Sequence, residues 1–137
     1  MRPQRQHHND AGFDLSTKMP VIIYPGEVIY VATGYYPDKH DIHDGSVGLV
    51  FARSSLSKKG LLLANGVGVI DAGYEGEVLV PLWNMSKDTP VVLEEQERIA
   101  QIVIVKLEGM SALYAQPPVQ GYKERGKGGF GSTGKAN

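Results

Sequence analysis

The sequence predicts an all-β domain, and three observations lead there. Glycine (17) and proline (8) punctuate the 137 residues at short intervals. The segments between them are short and rich in β-branched and aromatic side chains, the composition that suits a pleated, half-buried surface. Helical character is confined to about one turn around "RSSLSKK" (53–59). Short strands at regular spacing with turn residues between them read as a sandwich or barrel.

Taken in order, the expected strands are "VIIY" (21–24), "EVIYVATGYY" (27–36), "SVGLVFA" (46–52), "GVGVI" (66–70), "GEVLVPLW" (76–83) and "RIAQIVIVKL" (98–107). "YPGE" (24–27) and "DAGYEG" (71–76) supply Gly and Pro for turns. The last strand is distinctive. From 99 to 105 every residue but Gln101 is apolar, so the alternation of a half-exposed strand is absent. A strand apolar on both faces is covered on both. The cover is either a long loop or a second subunit. Beyond it, "QPPVQGYKERGKGG" (116–129) loses strand character and reads as a linker into an arm. The expected organisation is a β domain over 1–115 followed by a linker and arm over 116–137.

Composition narrows the function. One domain is the default at this length, and it can bury roughly two-thirds of its unfolded surface. Cysteine is absent, which removes disulfides, thiolate nucleophiles and thiolate-bound zinc. The start, "MRPQRQHHND", has no apolar core of a signal peptide. No apolar run nears the roughly 20 residues of a membrane span, so a cytoplasmic protein with no membrane partner is expected. A net charge of −1 argues against stable nucleic-acid binding. The sign is uneven, however. Lys123, Arg125, Lys127 and Lys135 face only Glu124 near the end of the chain, which suits a small polyanion.

Several residues could carry chemistry. Asp71 follows an apolar strand and opens a Gly-rich turn. It is either a base toward water or a turn aspartate bonded to its own backbone. Tyr74, in the same turn, either stacks on a ring or covers the hairpin. "RSSLSKKG" (53–60) is either an anion site at the start of a helical turn or a capped, solvated turn. Gln101 interrupts a buried strand, and an unpaired buried amide costs roughly 1–3 kcal/mol. It therefore bonds to neighbouring backbone or to a ligand. Asp14 and Asp71 are strand-end carboxylates that together could organise a hydrated Mg²⁺. "HDIH" (40–43) reads as a solvated loop rather than a metal pair. The terminal "GGFGSTGKAN" nearly spells a P-loop, but a P-loop must open a helix and here two residues remain. Phe130 sits there among glycines and small residues with no core to join, so it must find a surface to cover.

In order along the chain stand "AGFDL" (11–15), "ARSSL" (52–56), "NGVGVIDAGYEGE" (65–77), "ERIAQIV" (97–103) and "RGKGGFGSTG" (125–134). These five segments resemble the five motifs of the trimeric dUTPase family, and they cover almost the whole chain. The resemblance implies a β jelly-roll homotrimer with sites at subunit interfaces. It implies hydrolysis of dUTP to dUMP and pyrophosphate with Mg²⁺, which keeps uracil out of DNA and supplies dUMP for dTMP synthesis. By motif position, Asp71 would activate the attacking water at the α-phosphorus. Tyr74 would stack on deoxyribose and exclude a 2′-hydroxyl. Asn65 and the backbone of Gly68, Val69 and Ile70 would form the slot that reads uracil and rejects a C5 methyl. Arg53, Ser54, Ser55 and Gln101 would meet phosphates, and Asp14 would lie near the waters of the metal. Arg125, Phe130, Gly131, Ser132 and Thr133 would belong to an arm closing over a neighbouring subunit's site, with Phe130 on uracil. Read this way the tail is a lid. Its glycines let backbone approach phosphate, and Lys135 falls outside the motif.

Two departures are local to the hairpin. Glu75 stands where many members carry arginine, and Gly73 where many carry aspartate. The nearest rival, dCTP deaminase, is similar in fold and shares "RSSL" and an "IDxG" turn. It typically has phenylalanine where Tyr74 stands and lacks the Gly-rich arm. A regulatory, non-catalytic protein on the same fold is the alternative of a different class.

Overall fold

A computed structural model describes residues 1–119. Nine strands and one 3₁₀ turn form the described chain: β1 (Phe13–Ser16), β2 (Val21–Ile23), β3 (Val28–Ala32), β4 (Ser46–Ala52), the turn Ser57–Lys59, β5 (Leu61–Leu63), β6 (Gly68–Asp71), β7 (Leu79–Asn84), β8 (Val91–Leu93) and β9 (Arg98–Lys106). They make a four-stranded sheet in the order β1-β9-β4-β6, a three-stranded sheet β3-β7-β5 and a β2-β8 pair, with antiparallel pairing in all three. The all-β expectation holds.

Each expected strand is present, some of them shorter. β3 stops at Ala32 instead of running to 36, because Thr33 turns its hydroxyl to Val78 O (2.6 Å) and Gly34 takes φ +69°. The strand expected from 76 begins at Leu79 for the matching reason, since Val78 N bonds to Tyr35 O outside the ladder. Pro81 lies in β7, the middle strand of its sheet. Its carbonyl accepts Ala64 N (2.8 Å) just past the end of β5. A residue's N–H and C=O point to the same side of a strand, so the missing proline donor faces that open end and costs β3 nothing.

The core lies between the sheets. Leu15, Ile23, Val31, Val50, Leu61, Val80, Leu82, Leu93, Ile99 and Ile102 are at most 3% exposed. Asn84 is fully buried and fully used: Nδ2 donates to Ile23 O and Thr89 O, and Oδ1 accepts Ser86 N, each at 2.9 Å. Among the described residues no buried side-chain polar atom lacks a partner, as native interiors require.

The polar loop over 38–44 is anchored more firmly than its sequence suggests. Ile42 is 3% exposed and fills the space over Gly48, where a Cβ would lie 2.9 Å from Ile42 Cδ1 and 3.0 Å from Ile102 Cδ1. Asp41 accepts from both terminal nitrogens of Arg2 (2.6 and 3.0 Å), from Tyr35 Oη (2.8 Å) and from Asp38 N (2.9 Å). The Arg2 hydrogen bond, opposed by partial burial, leads the effects that hold the Asp41 carboxyl down at about 2. Burial first, then the bond to Asp41, pushes the Tyr35 hydroxyl up. His40 and His43 stay exposed.

Asp41 has a lower pKa folded than unfolded, where about 3.9 is ordinary. Its stabilisation is therefore present above about pH 4 and is lost as pH falls through about 2. Asp41→Asn is expected to lower stability by about 1–2 kcal/mol at pH 7. The gap from wild type should close between about pH 4 and 2, which thermal melts across that range would measure.

Candidate active site

The motif residues gather at two ends of the outward face of the β1-β9-β4-β6 sheet. At one end the ladder places Asp14 opposite Gln101, and Gln101 opposite Phe51. Asp14, only 15% exposed at its side chain, lies between two guanidiniums: Arg53 Nε is 3.3 Å from Oδ1 and Arg98 Nη1 is 3.6 Å from Oδ2. Arg53 leaves β4 and opens a turn closed by Leu56 N on Arg53 O (3.0 Å). Leu56 is buried and pins that turn. Ser54 is exposed, Ser55 half-buried, and Ser57 Oγ donates to Ser54 O (3.3 Å). Gln101 is half-buried, and its Nε2 lies 3.4 Å from Ala52 O. Of the two partners open to this amide, backbone is present, though the bond is long.

A second contact ties the segments together. Lys59 Nζ pairs with the carboxylate of Glu97, which joins the turn after β4 to the turn before β9. Partial burial pushes the Glu97 carboxyl up, but the Lys59 ammonium and the Glu94 N–H outweigh it and the net shift is downward. The 53–60 segment has no side-chain N-cap, since Leu56 holds that position; it closes at Gly60 through its N–H on Ser57 O, and its Arg53 and Lys59 are paired with Asp14 and Glu97. Arg98 is the residue sequence reasoning missed at this end. Its place inside "ERIAQIV" was the available signal.

The other end is built on β6. The chain crosses from β5 in one sheet to β6 in the other through Asn65, Gly66 and Val67, with Gly66 at φ +73°. Gly68 is buried, and a Cβ on it would meet Val50 Cβ at 3.1 Å and Asn65 Nδ2 at 3.4 Å. Asp71 is the last residue of β6 and is exposed. It borders a cavity of about 410 Å³ with Asp44, Ser46, Val69, Leu107 and Tyr114. Tyr74 N bonds to Asp71 O (3.2 Å) and Tyr74 Oη donates to Glu77 O (2.7 Å). The phenol crosses Gly76, where a Cβ would lie 2.5 Å from the Tyr74 oxygen. Tyr74 therefore lies across its own turn, half-buried.

One chain keeps these ends apart. Asp71 pairs with Val47, and Val47 with Val105, four residues along β9 from Gln101. At 3.2–3.4 Å per residue and 4.7–4.9 Å per strand, Asp71 lies roughly 16 Å from Gln101 and roughly 20 Å from Asp14, Cα to Cα. Between them the same face carries Val47, Leu49 and Phe51 from β4, Val69 from β6 and Val103 and Val105 from β9. Val69 is 57% and Val105 39% exposed. Both faces of 99–105 are indeed apolar, and in this chain one is only partly covered.

Arg125, Phe130, Gly131, Ser132 and Thr133 lie outside the described residues, as does most of the 116–137 arm. Among the described residues no three His, Asp or Glu side chains form a metal-binding group. In "HDIH" the Asp41 carboxylate is taken by Arg2, Tyr35 and Asp38 N, and Asp14 and Asp71 of one chain are too far apart to share an ion. Asp14 is a single carboxylate already faced by Arg53 and Arg98, so a hydrated cation meeting it would have to bring its other ligands with it, the usual habit of Mg²⁺. No described helix is long and apolar enough to cross a membrane.

Comparison with known proteins shows the family. The family model for dUTPase matches residues 1–134. The deoxyuridine 5′-triphosphate nucleotidohydrolase of Thermobifida fusca is 41% identical over 96% of this chain and 72% of its own length. That of Corynebacterium diphtheriae is 41% identical over 96% and 84%. Among solved structures, the dUTPase of Streptococcus mutans superposes with a TM-score of 0.70 at 35% identity, over 80% of this chain and 88% of that one. The dUTPase of Staphylococcus bacteriophage 80alpha with dUPNHPP superposes with a TM-score of 0.71 at 29% identity, over 96% and 90%. The chain belongs to the dUTPase family.

Proposed function

We propose that the chain hydrolyses dUTP to dUMP and pyrophosphate at sites shared between subunits of a homotrimer. The observation that carries this reading is the split of the motif residues into two ends with different chemistry. The Asp71 end offers backbone, a phenol and one carboxylate, which suits a base, a sugar and a water. The Asp14 end offers two guanidiniums, hydroxyls and an amide, which suits phosphates. A triphosphate cannot bridge the two within one chain, because the strip between them is apolar and offers no donors. A second copy covering that strip buries it and brings its own Arg53 and Gln101 to the first copy's Asp71.

In this site uracil sits against Asn65 and the backbone of Gly68, Val69 and Ile70. A backbone slot reads the base edge through fixed donors and acceptors and rejects a C5 methyl by size. Tyr74 stacks on the deoxyribose and leaves no room for a 2′-hydroxyl. Asp71 accepts a proton from a water held in line with the α-phosphorus, at the open end of β6. The O–P bond to the leaving pyrophosphate breaks as the new one forms. Arg53, Ser54, Ser55 and Gln101 hold the leaving group and spread its growing charge. Mg²⁺ carried by the triphosphate would be met by Asp14 through the metal's waters and would neutralise phosphate charge. The arm over 116–137, with Arg125, Phe130, Gly131, Ser132 and Thr133, closes on a neighbouring subunit's site and excludes water.

Four outcomes test the reading. Pyrophosphate assayed with Mg²⁺ should be released from dUTP and not from dTTP, dCTP or UTP. Asp71→Asn should cut kcat by roughly 10³-fold while dUPNHPP binding stays near wild type, and undiminished turnover would remove Asp71 from the mechanism. Mixing tests the shared site. Asp71→Asn and Arg53→Ala chains, each weak alone, should regain about a quarter of wild-type activity when refolded together in equal amounts, since random trimers pair one intact half from each at that frequency. A mixture no better than its parts would confine each site to one chain. Deleting residues 125–137 should remove most of kcat and leave the melting temperature unchanged, and a truncated protein with full kcat would exclude the lid.

A further inference from the structure

Gly12 precedes β1 by one residue, and by strand alternation it shares the outward side with Asp14. Its φ lies outside the left-handed region, so conformational freedom does not explain it. Space does. A Cβ at this position would lie 2.4 Å from Gln101 Oε1 and 3.1 Å from both Cβ and Cδ of Gln101. Carbon atoms prefer about 3.5–4.0 Å. The Gln101 amide thus occupies the volume that a side chain at 12 would take. Its other end points to Ala52 O at 3.4 Å, and Asp14 and Phe51 flank it across the ladder.

We propose that Gly12 is a positioning residue for Gln101. The missing side chain lets the amide lie along the sheet, braced between the backbone at 12 and the carbonyl at 52, and so presents it at one height above the phosphate end. A methyl at 12 meets Gln101 at its Cβ as well as at its tip. The amide has to swing out of its rotamer to clear the contacts at Oε1 and Cδ, while the 3.1 Å contact at Cβ, which no rotamer moves, asks the backbone for a shift of a few tenths of an ångström. The inference rests on the reading of Gln101 as a phosphate contact given above, and the test separates the two.

The experiment compares wild type, Gly12→Ala, Gln101→Ala and the double variant by dUTP kinetics and thermal melting. Each single change should lower kcat/KM by roughly ten- to a hundredfold, the cost of losing or misplacing a bond to a charged group. The double variant should match Gln101→Ala within about twofold, because Gly12 acts through Gln101. A merely structural role would give losses that multiply and would lower the melting temperature equally in both backgrounds. Full activity in Gln101→Ala would overturn the phosphate reading and the inference with it. A damaged Gln101→Ala beside an unaffected Gly12→Ala, or multiplying losses, would overturn the inference alone. Should Gly12→Ala fail to fold, the double variant decides. Truncating Gln101 removes the contacts at Oε1 and Cδ, so the double is expected to fold, and a double that also fails to fold would count against the proposal.

Discussion

Everything at the site depends on the double pairing of β9. This strand is hydrogen-bonded to β4 over Ser46–Ala52 and to β1 over Phe13–Ser16. Its register sets which face each residue takes. Ile99 and Ile102 go inward with Leu15 and Val50, where burial of apolar area supplies the driving force. Gln101 goes outward beside Asp14 and Phe51. The register already shifts between Leu15 and Ser16. A one-residue slip elsewhere in the ladder would put Gln101 in the core and an isoleucine at the phosphate end. Core and chemistry are fixed by the same ladder, so the cost of burying Gln101 guards the register of the site.

Legibility followed segment length. β4 and β9 have seven and nine residues, enough for a pattern to show. Three apolar residues cannot express a period, so Leu61–Leu63 and Val91–Leu93 are not legible, and the equally short Val21–Ile23 is legible only because Tyr24 extends its β-branched run up to a Pro-Gly turn. β1 stands outside the list of expected strands although Asp14 reads as a strand-end carboxylate, since Asp14 breaks the apolar run; in the structure it is the second residue of that four-residue strand. Asp71 was readable as a strand-end carboxylate because glycines follow it. Ile42 was not, because one apolar residue among charges gives no sign that a glycine six positions on has left a hole for it. Arg98 and Gly12 escaped for a related reason: their importance lies in contacts across the sheet, which no local spacing encodes.

The two ends also differ in what holds them before substrate arrives. The Asp71 end is shaped by backbone and by Tyr74, which is braced on Glu77 O across its own turn. The selectivity proposed for it is steric, a kind of discrimination that salt does not screen. The Asp14 end is shaped by charge. Arg53 and Arg98 approach opposite oxygens of one carboxylate. Without that carboxylate two guanidiniums would repel one another across a small gap. With it they stand close together and oriented, and the cluster carries net positive charge.

That arrangement bears on how a polyanion is recognised without being trapped. Asp14 lowers the attraction of the cluster for phosphate, because an incoming phosphate competes with a resident anion for the same donors. It also lowers the reorganisation the cluster needs, because the guanidiniums are already gathered. Pre-gathered donors favour the state in which charge is greatest on the leaving pyrophosphate. A resident counter-ion weakens ground-state binding and product retention alike. The apolar strip completes the logic. It separates the ends in a lone chain, so in the proposed trimer the donors assigned to phosphate and the carboxylate assigned to water would meet only when that strip is buried, and the association that covers the apolar face would also assemble the chemistry.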